Sequence, residues 1–221
     1  MARLTYAIGD IHGRLDLLER AAMTIAGHAA GRDYRVICLG DYVDRGPDSR
    51  GVIAFLMRET RLGRFVCLKG NHEAMMLEAL RGPYMGLWLR NGGEETMASY
   101  DGRPPDDHLD WLDALPIFET EADRIYVHAG LRPGRPLEAQ DEESCLWIRE
   151  RFLRAGADEL PGHVVHGHTP YHAGKREPAQ PERLPHRTNL DTGAYATGVL
   201  VVGVFDPEIP GGPLDLIRVQ A

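Results

Sequence analysis

Leu4-Thr5-Tyr6-Ala7-Ile8-Gly9-Asp10-Ile11-His12-Gly13 is the stretch on which the fold turns. Leu4 to Ile8 is an apolar run of buried-strand length, and it stops on an Asp and a His set between glycines. Leu15 to Ala30 then places Leu15, Leu18, Ala22 and Ile25 at helical spacing. The unit is strand, polar loop, helix. It recurs as Tyr34–Leu39, the loop Gly40-Asp41-Tyr42-Val43-Asp44-Arg45-Gly46, and a helix over Pro47–Arg58, where Pro suits a first turn. It recurs again as Phe65–Leu68, Gly70-Asn71-His72-Glu73 and a helix to about Leu80. Three such units predict an α/β chain with a largely parallel sheet and right-handed crossovers. Ligands in such sheets bind beyond the carboxyl ends of the strands. The pattern therefore gathers Asp10, His12, Asp41 and Asn71 at one place, although they are far apart in the chain.

Farther along, Arg81 to Asp107 carries Gly82-Pro83, Asn91-Gly92-Gly93 and Pro104-Pro105, which are turn signals around packed apolar residues. This reads as a helical insertion, spanning about 81–115, in one domain covering 1–221. A hairpin over Ile117–Thr120 and Arg124–Val127 delivers His128-Ala129-Gly130. Asp141 to Arg154 reads as one helix. Val164-Val165 is a short strand delivering Gly167-His168-Thr169. Lys175 to Pro185 reads as an exposed loop, and Val199–Phe205 and Leu214–Val219 as late strands forming a second sheet. Asp191-Thr192-Gly193 reads as a tight turn or as a wall of the site.

Lys plus Arg number 25 against 33 Asp plus Glu, a formal charge of −8. That balance argues against a broad nucleic-acid or anionic-membrane surface, while bound metals and local arginines still allow a positive pocket. Three cysteines without framework spacing fit a reducing cytoplasm. The N-terminus runs into strand-like sequence with no signal-peptide pattern, and no apolar run approaches the roughly 20 residues of a membrane span. The expectation is a cytosolic protein with no membrane and no stable nucleic-acid partner.

The donors imply metal chemistry. Asp10 and His12 can clasp one ion, the Asp41 carboxylate can bridge two, and Asn71, His128 and His168 can complete the second site. Mixed carboxylate, imidazole and amide donors suit Mn, Fe or Zn better than Ca or Mg. Ligands arriving singly from several loops leave positions open for water, as catalytic sites do. A water shared by two metals is a nucleophile near neutral pH and can attack phosphorus in line. His72 is then the candidate general acid, Asp44 the carboxylate that favours its protonated form, and Arg45 a fork for phosphate oxygens. Bland readings stand beside these. Asp beside Gly is commonly a turn residue. Asp44 and Arg45 could be a structural ion pair. His166 reads as support or packing.

The five segments, in this order, resemble the calcineurin-like metallophosphoesterases, in particular the compact bacterial and phage form of the phosphoprotein-phosphatase branch. The resemblance runs from residue 9 to residue 169. It implies two opposed mixed β-sheets flanked by helices, a sandwich with a dinuclear metal site. It assigns Asp10, His12 and Asp41 to the first ion, and Asp41, Asn71, His128 and His168 to the second. His72 becomes the acid oriented by Asp44, and Arg45 a phosphate contact. It also implies a second phosphate arginine, for which Arg149 is the candidate; on a helix with Arg151 and Arg154 it could instead be a solvated face. Pro170 stands where wider relatives have a second His. Asp44 and Glu73 differ from the Ala and Asp usual in symmetric diadenosine tetraphosphate hydrolases. The resemblance thus implies a Ser/Thr protein phosphatase using two divalent ions, Mn first, with a phosphoprotein or phosphopeptide substrate. A nucleotide hydrolase is the alternative, and a non-catalytic phosphate-binding scaffold the remote one.

Overall fold

The computed structural model describes residues 3–172 and 179–221. The first unit is β1 (Leu4–Ile8) and α1 (Leu15–Ala29). The second is β2 (Tyr34–Cys38) and α2 (Ser49–Arg61), and the third β3 (Phe65–Cys67) and α3 (Asn71–Arg81). The helix expected from Pro47 begins at Ser49, because the Asp48 side chain accepts the Gly51 N–H at 2.7 Å and caps it there. β1, β2 and β3 run parallel, with Leu4 opposite Tyr34 and Val36 opposite Phe65.

Successive strand residues face opposite ways. Tyr6, Ile8, Val36 and Cys38 enter a core beneath α1, α2 and α3, while Ala7 and Ile37 enter a second core on the other side. That second core is shared with another sheet, built from β4 (Phe118–Glu121), β5 (Arg124–Val127), β6 (His163–His166), β7 (Glu182–Leu184) and β8 (Arg187–Asn189). Its order is β4-β5-β6-β8-β7, with β5, β6 and β8 parallel. Tyr126 from this sheet meets Phe205 from the first, edge to face at 5.7 Å.

The late strands overturn one expectation. β9 (Val199–Phe205) and β10 (Asp215–Gln220) do not form the second sheet. β9 lies antiparallel beside β1 and β10 antiparallel beside β9, giving β10-β9-β1-β2-β3. The apolar run of β9 suits a strand covered on both faces. Val201 and Phe205 enter the inter-sheet core, and Leu200, Val202 and Val204 the helix-side core. Of the loop expected over Lys175–Pro185, residues 175–178 lie outside the described residues, and Glu182–Leu184 is the edge strand β7.

Residues 85–113 carry α4 (Met85–Trp88), a wide turn over Leu89–Gly93, α5 (Glu94–Ser99) and α6 (Asp106–Asp113). Trp88, Leu109 and Leu112 sink into the helix-side core. The helix expected over Asp141–Arg154 is broken into α7 (Glu142–Trp147) and α8 (Glu150–Leu153). The Cys145 carbonyl, which would accept the Arg149 N–H in a continuous helix, accepts the Ala129 N–H at 2.8 Å instead. Among the described residues, no helix is long and apolar enough to cross a membrane.

Candidate active site

All five motifs lie at carboxyl ends of parallel strands, where the two sheets meet. Asp10 and His12 follow β1, Asp41 follows β2, Asn71 opens α3 after β3, His128 follows β5, and His168 follows β6. The backbone is bent hard there. His12, Asp41, Asp44, Arg45 and His168 all have positive φ, between 45° and 73°. Such strain clusters where surrounding structure holds a functional geometry in place. Gly40 has φ 104°, and a Cβ on it would stand 2.7 Å from the Gly70 Cα and 2.9 Å from His128 Nδ1. Only glycine lets those three loops converge.

Asp41 is at the centre. His12 Nε2 is 3.4 Å from its Oδ2 and His128 Nε2 3.3 Å from its Oδ1. Asn71 Oδ1 is 2.8 Å from both His128 Nε2 and His168 Nδ1. Two groups could each hold an ion: His12, Asp41 and His72, and Asp41, His128 and His168, the donor atoms of each lying within 4.8 Å of one another. Asp41 belongs to both. Asp10 belongs to neither group; its carboxylate accepts the His168 N–H at 3.1 Å.

The donor chemistry fits a cation. His12 Nδ1 is 2.8 Å from the Val43 carbonyl and His128 Nδ1 3.0 Å from the Leu39 carbonyl. Each Nδ1 must donate to its carbonyl, which leaves a lone pair on Nε2, aimed at the Asp41 carboxylate. Burial keeps these rings neutral, driving His12 down to about 3 and His168 to about 2. Burial also pushes Asp10 well up, helped by Asp191 and Asp41. Lone pairs and buried carboxylates facing one another repel unless a positive charge lies between them. In this structure Arg45 lends part of that charge, since its Nη1 donates to His12 Nε2 at 2.8 Å.

His72 differs from the other rings. Its Nδ1 is 2.7 Å from Asp44 Oδ2, and its Nε2 is 4.0 Å from Asp41 Oδ2. Burial works against its imidazolium, but Asp41 and the bonded Asp44 outweigh that and raise its pKa. Asp44 therefore pairs with His72 and not with Arg45. Arg149 is exposed, but it lies outside any helix face. It sits in the break between α7 and α8, and its Nη1 donates to the His168 carbonyl at 3.2 Å and to Thr169 Oγ1 at 3.0 Å. Arg45, His72 and Arg149 line one cavity of about 170 Å³, with Trp147 and Leu87 at its rim. His166 is buried against Phe152, ring centres 4.9 Å apart, in a packing role. Asp191 accepts the Gly193 N–H at 2.8 Å and is buried close enough to raise Asp10, so it is both turn and wall.

Three contributors escape a reading of the motifs. Trp88 and Thr96 both donate to Asp44. Glu73 accepts four backbone N–H groups, from Asp41, Tyr42, Val43 and Gly70. A Glu three residues past a helix N-cap is a capping signal, and that signal could have found part of the Glu73 role.

The family described as calcineurin-like phosphoesterase matches residues 4–196. The chain is 30% identical over 180 residues to serine/threonine-protein phosphatase 1 of Salmonella typhimurium, covering 76% of this chain and 79% of that protein. It is 36% identical over 130 residues to a symmetrical bis(5'-nucleosyl)-tetraphosphatase of Dechloromonas aromatica, covering 58% of this chain and 44% of that one. A crystal structure assigned provisionally to a diadenosine tetraphosphatase superposes with a TM-score of 0.71 at 24% identity, covering all of this chain and 95% of that one. Two mixed five-stranded sheets flanked by helices, loops that converge on Asp41, and a family match over most of the sequence agree: the chain belongs to the calcineurin-like phosphoesterases, metallophosphoesterases that use divalent ions.

Proposed function

We propose that the chain is a two-metal phosphomonoesterase that removes phosphate from serine and threonine side chains of proteins. The observation that carries this is the Asp44–His72 pair, buried beside Asp41 and opening on a cavity flanked by Arg45 and Arg149. Asp10, His12 and Asp41 would hold one ion, and Asp41, Asn71, His128 and His168 the other. A bound pair of divalent ions supplies an acidified water and offsets the charge that develops on phosphorus-bound oxygens. Mn is the first candidate and Fe or Zn the next, because the donors mix carboxylate, amide and imidazole.

The remaining work falls to side chains. Arg45 and Arg149 orient the phosphoryl oxygens. Asp44 holds the Nδ1–H of His72, which fixes the tautomer and points Nε2 into the cavity. His72 gives its Nε2 proton to the leaving oxygen as the ester bond breaks. An alkoxide from serine or threonine is a poor leaving group and needs that proton. Residues 1–221 act in this reading as one catalytic domain, with the helices around 81–115 inserted beside the site, and in the cytoplasm.

The protein-phosphatase reading is favoured by the Salmonella relative, which aligns over most of both chains, and by the intact Asp44 and Glu73. A nucleotide hydrolase is the second reading, supported by the Dechloromonas relative over a shorter span. Mn-loaded protein should be assayed side by side on a phosphoserine peptide and on symmetric diadenosine tetraphosphate. Turnover of the peptide with an inert dinucleotide is expected. The reverse would move the substrate to nucleotides. No turnover of either, or of a simple aryl phosphate, across several metals would leave a scaffold.

A further inference from the structure

The segment 85–99 supplies none of the proposed metal ligands and lines the cavity only with Leu87 and Asn91, yet it grips the second motif at three points. The Trp88 Nε1–H donates to Asp44 Oδ1 at 2.9 Å and reaches Oδ2 at 3.1 Å. The Thr96 hydroxyl donates to Asp44 Oδ1 at 2.7 Å and accepts the Asp44 N–H at 2.8 Å. The Gly92 carbonyl accepts the Arg45 N–H at 3.1 Å. Asp44, Trp88 and Thr96 are all fully buried. Gly93 packs so closely on the Trp88 ring that a Cβ would lie 2.5 Å from it, which fixes the indole plane and the direction of its N–H.

A buried carboxylate turns toward whatever donors it can find. Asp44 would otherwise be free to rotate about its χ2. With Oδ1 held by an indole and a hydroxyl, Oδ2 is left aimed at His72 Nδ1. We propose that Trp88 and Thr96 are positioning residues that act through Asp44, so that the inserted segment 85–99 sets how well His72 protonates the leaving oxygen. The inference rests on the assignment of His72 as acid.

The test uses the full chain with Mn and two aryl phosphates of opposite leaving ability. The 2,4-dinitrophenolate of 2,4-dinitrophenyl phosphate leaves without a proton, whereas the phenolate of phenyl phosphate needs one as the P–O bond breaks. Trp88→Phe keeps the ring and removes the N–H. Thr96→Val keeps the shape and removes the hydroxyl, and Thr96→Ser restores it. Trp88→Phe and Thr96→Val should each lower kcat on phenyl phosphate by roughly 10–100-fold, the range for residues that orient a functional group. On 2,4-dinitrophenyl phosphate the loss should stay within about twofold, since no acid is needed there. KM should hold for both substrates, and Thr96→Ser should recover most of the phenyl phosphate rate. In a His72→Asn background, Trp88→Phe should add no further loss, because the two act on one step. Equal losses on both substrates, no loss on either, or a full additional loss in the His72→Asn background would overturn the proposal. If Trp88→Phe does not fold, the Thr96 pair decides. Wild-type protein inert to both substrates would overturn the phosphatase reading and this inference with it. An active wild type with unchanged leaving-group selectivity in the variants would overturn this inference alone.

Discussion

Replacing Glu73 with glutamine probes the brace beneath the site. One carboxylate oxygen accepts the N–H groups of Tyr42 at 2.7 Å and Val43 at 3.2 Å, and the other those of Asp41 and Gly70, both at 2.9 Å. Burial, with Asp41 close by, pushes Glu73 up to about 7, whereas four converging N–H donors favour the ionised form. The donor count decides for the carboxylate, since a protonated oxygen would aim its own hydrogen at an N–H. Glutamine keeps one acceptor oxygen and turns the other into a donor that faces two donors. Two charge-assisted bonds are lost, at about 1.5–3 kcal/mol each, so the fold weakens by about 3 kcal/mol or more. At about 2–4 °C per kcal/mol for a chain of this size, Tm should fall by at least about 6 °C. Glu73→Asp pulls the carboxylate back by about 1.5 Å and should lose stability as well. Circular dichroism melting of chelated protein measures this without interference from metal. A Gln variant melting within about 2 °C of wild type would mean that Glu73 is held protonated, and would refute the brace.

Three further outcomes follow from the site. His72→Asn should keep metal binding and lose most turnover of poor leaving groups. In the wild type that turnover should be full below the His72 pKa, which lies above its ordinary 6.5, and fall as pH rises through it; a variant retaining both rate and basic limb would exclude His72 as the acid. Asp41→Asn should weaken binding of both ions, and unchanged stoichiometry and affinity by calorimetric titration would contradict a bridging role. Burial raises Asp10, yet a cation needs it ionised, so Mn binding should release protons and tighten as pH rises; equal binding heats in buffers of different ionisation enthalpy would exclude this.

Much of the site was written in the chain, because a polar residue between glycines directly after an apolar run has few packing explanations. The parallel sheet makes neighbours of Asp10, Asp41 and Asn71 without further information. What escaped detection depends on partners distant in sequence. Trp88 is one of the apolar residues between the turns of 81–107 that read as packed helix, and it is core; only its N–H, reaching an oxygen 44 residues back, ties it to the site. Arg149 read as part of a helix face because nothing local says that the Cys145 carbonyl is taken by Ala129. The run Val199–Phe205 states that both faces are covered but not by which neighbours, so its place beside β1 was invisible. β8 is short and polar, Arg187-Thr188-Asn189, and carries no strand signal although all three residues are buried.

The position of β9 bears on how the chain is made. β1 leaves the ribosome well before β9, yet the two lie side by side within one sheet. Until about residue 205 has emerged, the nascent β1-β2-β3 unit has one bare edge at the strand that carries Asp10 and His12. An open strand edge invites pairing with a wrong chain, and pairings this distant in sequence form slowly. The motif residues through His168 thus exist in the growing polypeptide before the sheet beneath them is closed. Truncation ahead of β9 would leave every proposed ligand in place on a scaffold that lacks its central neighbour.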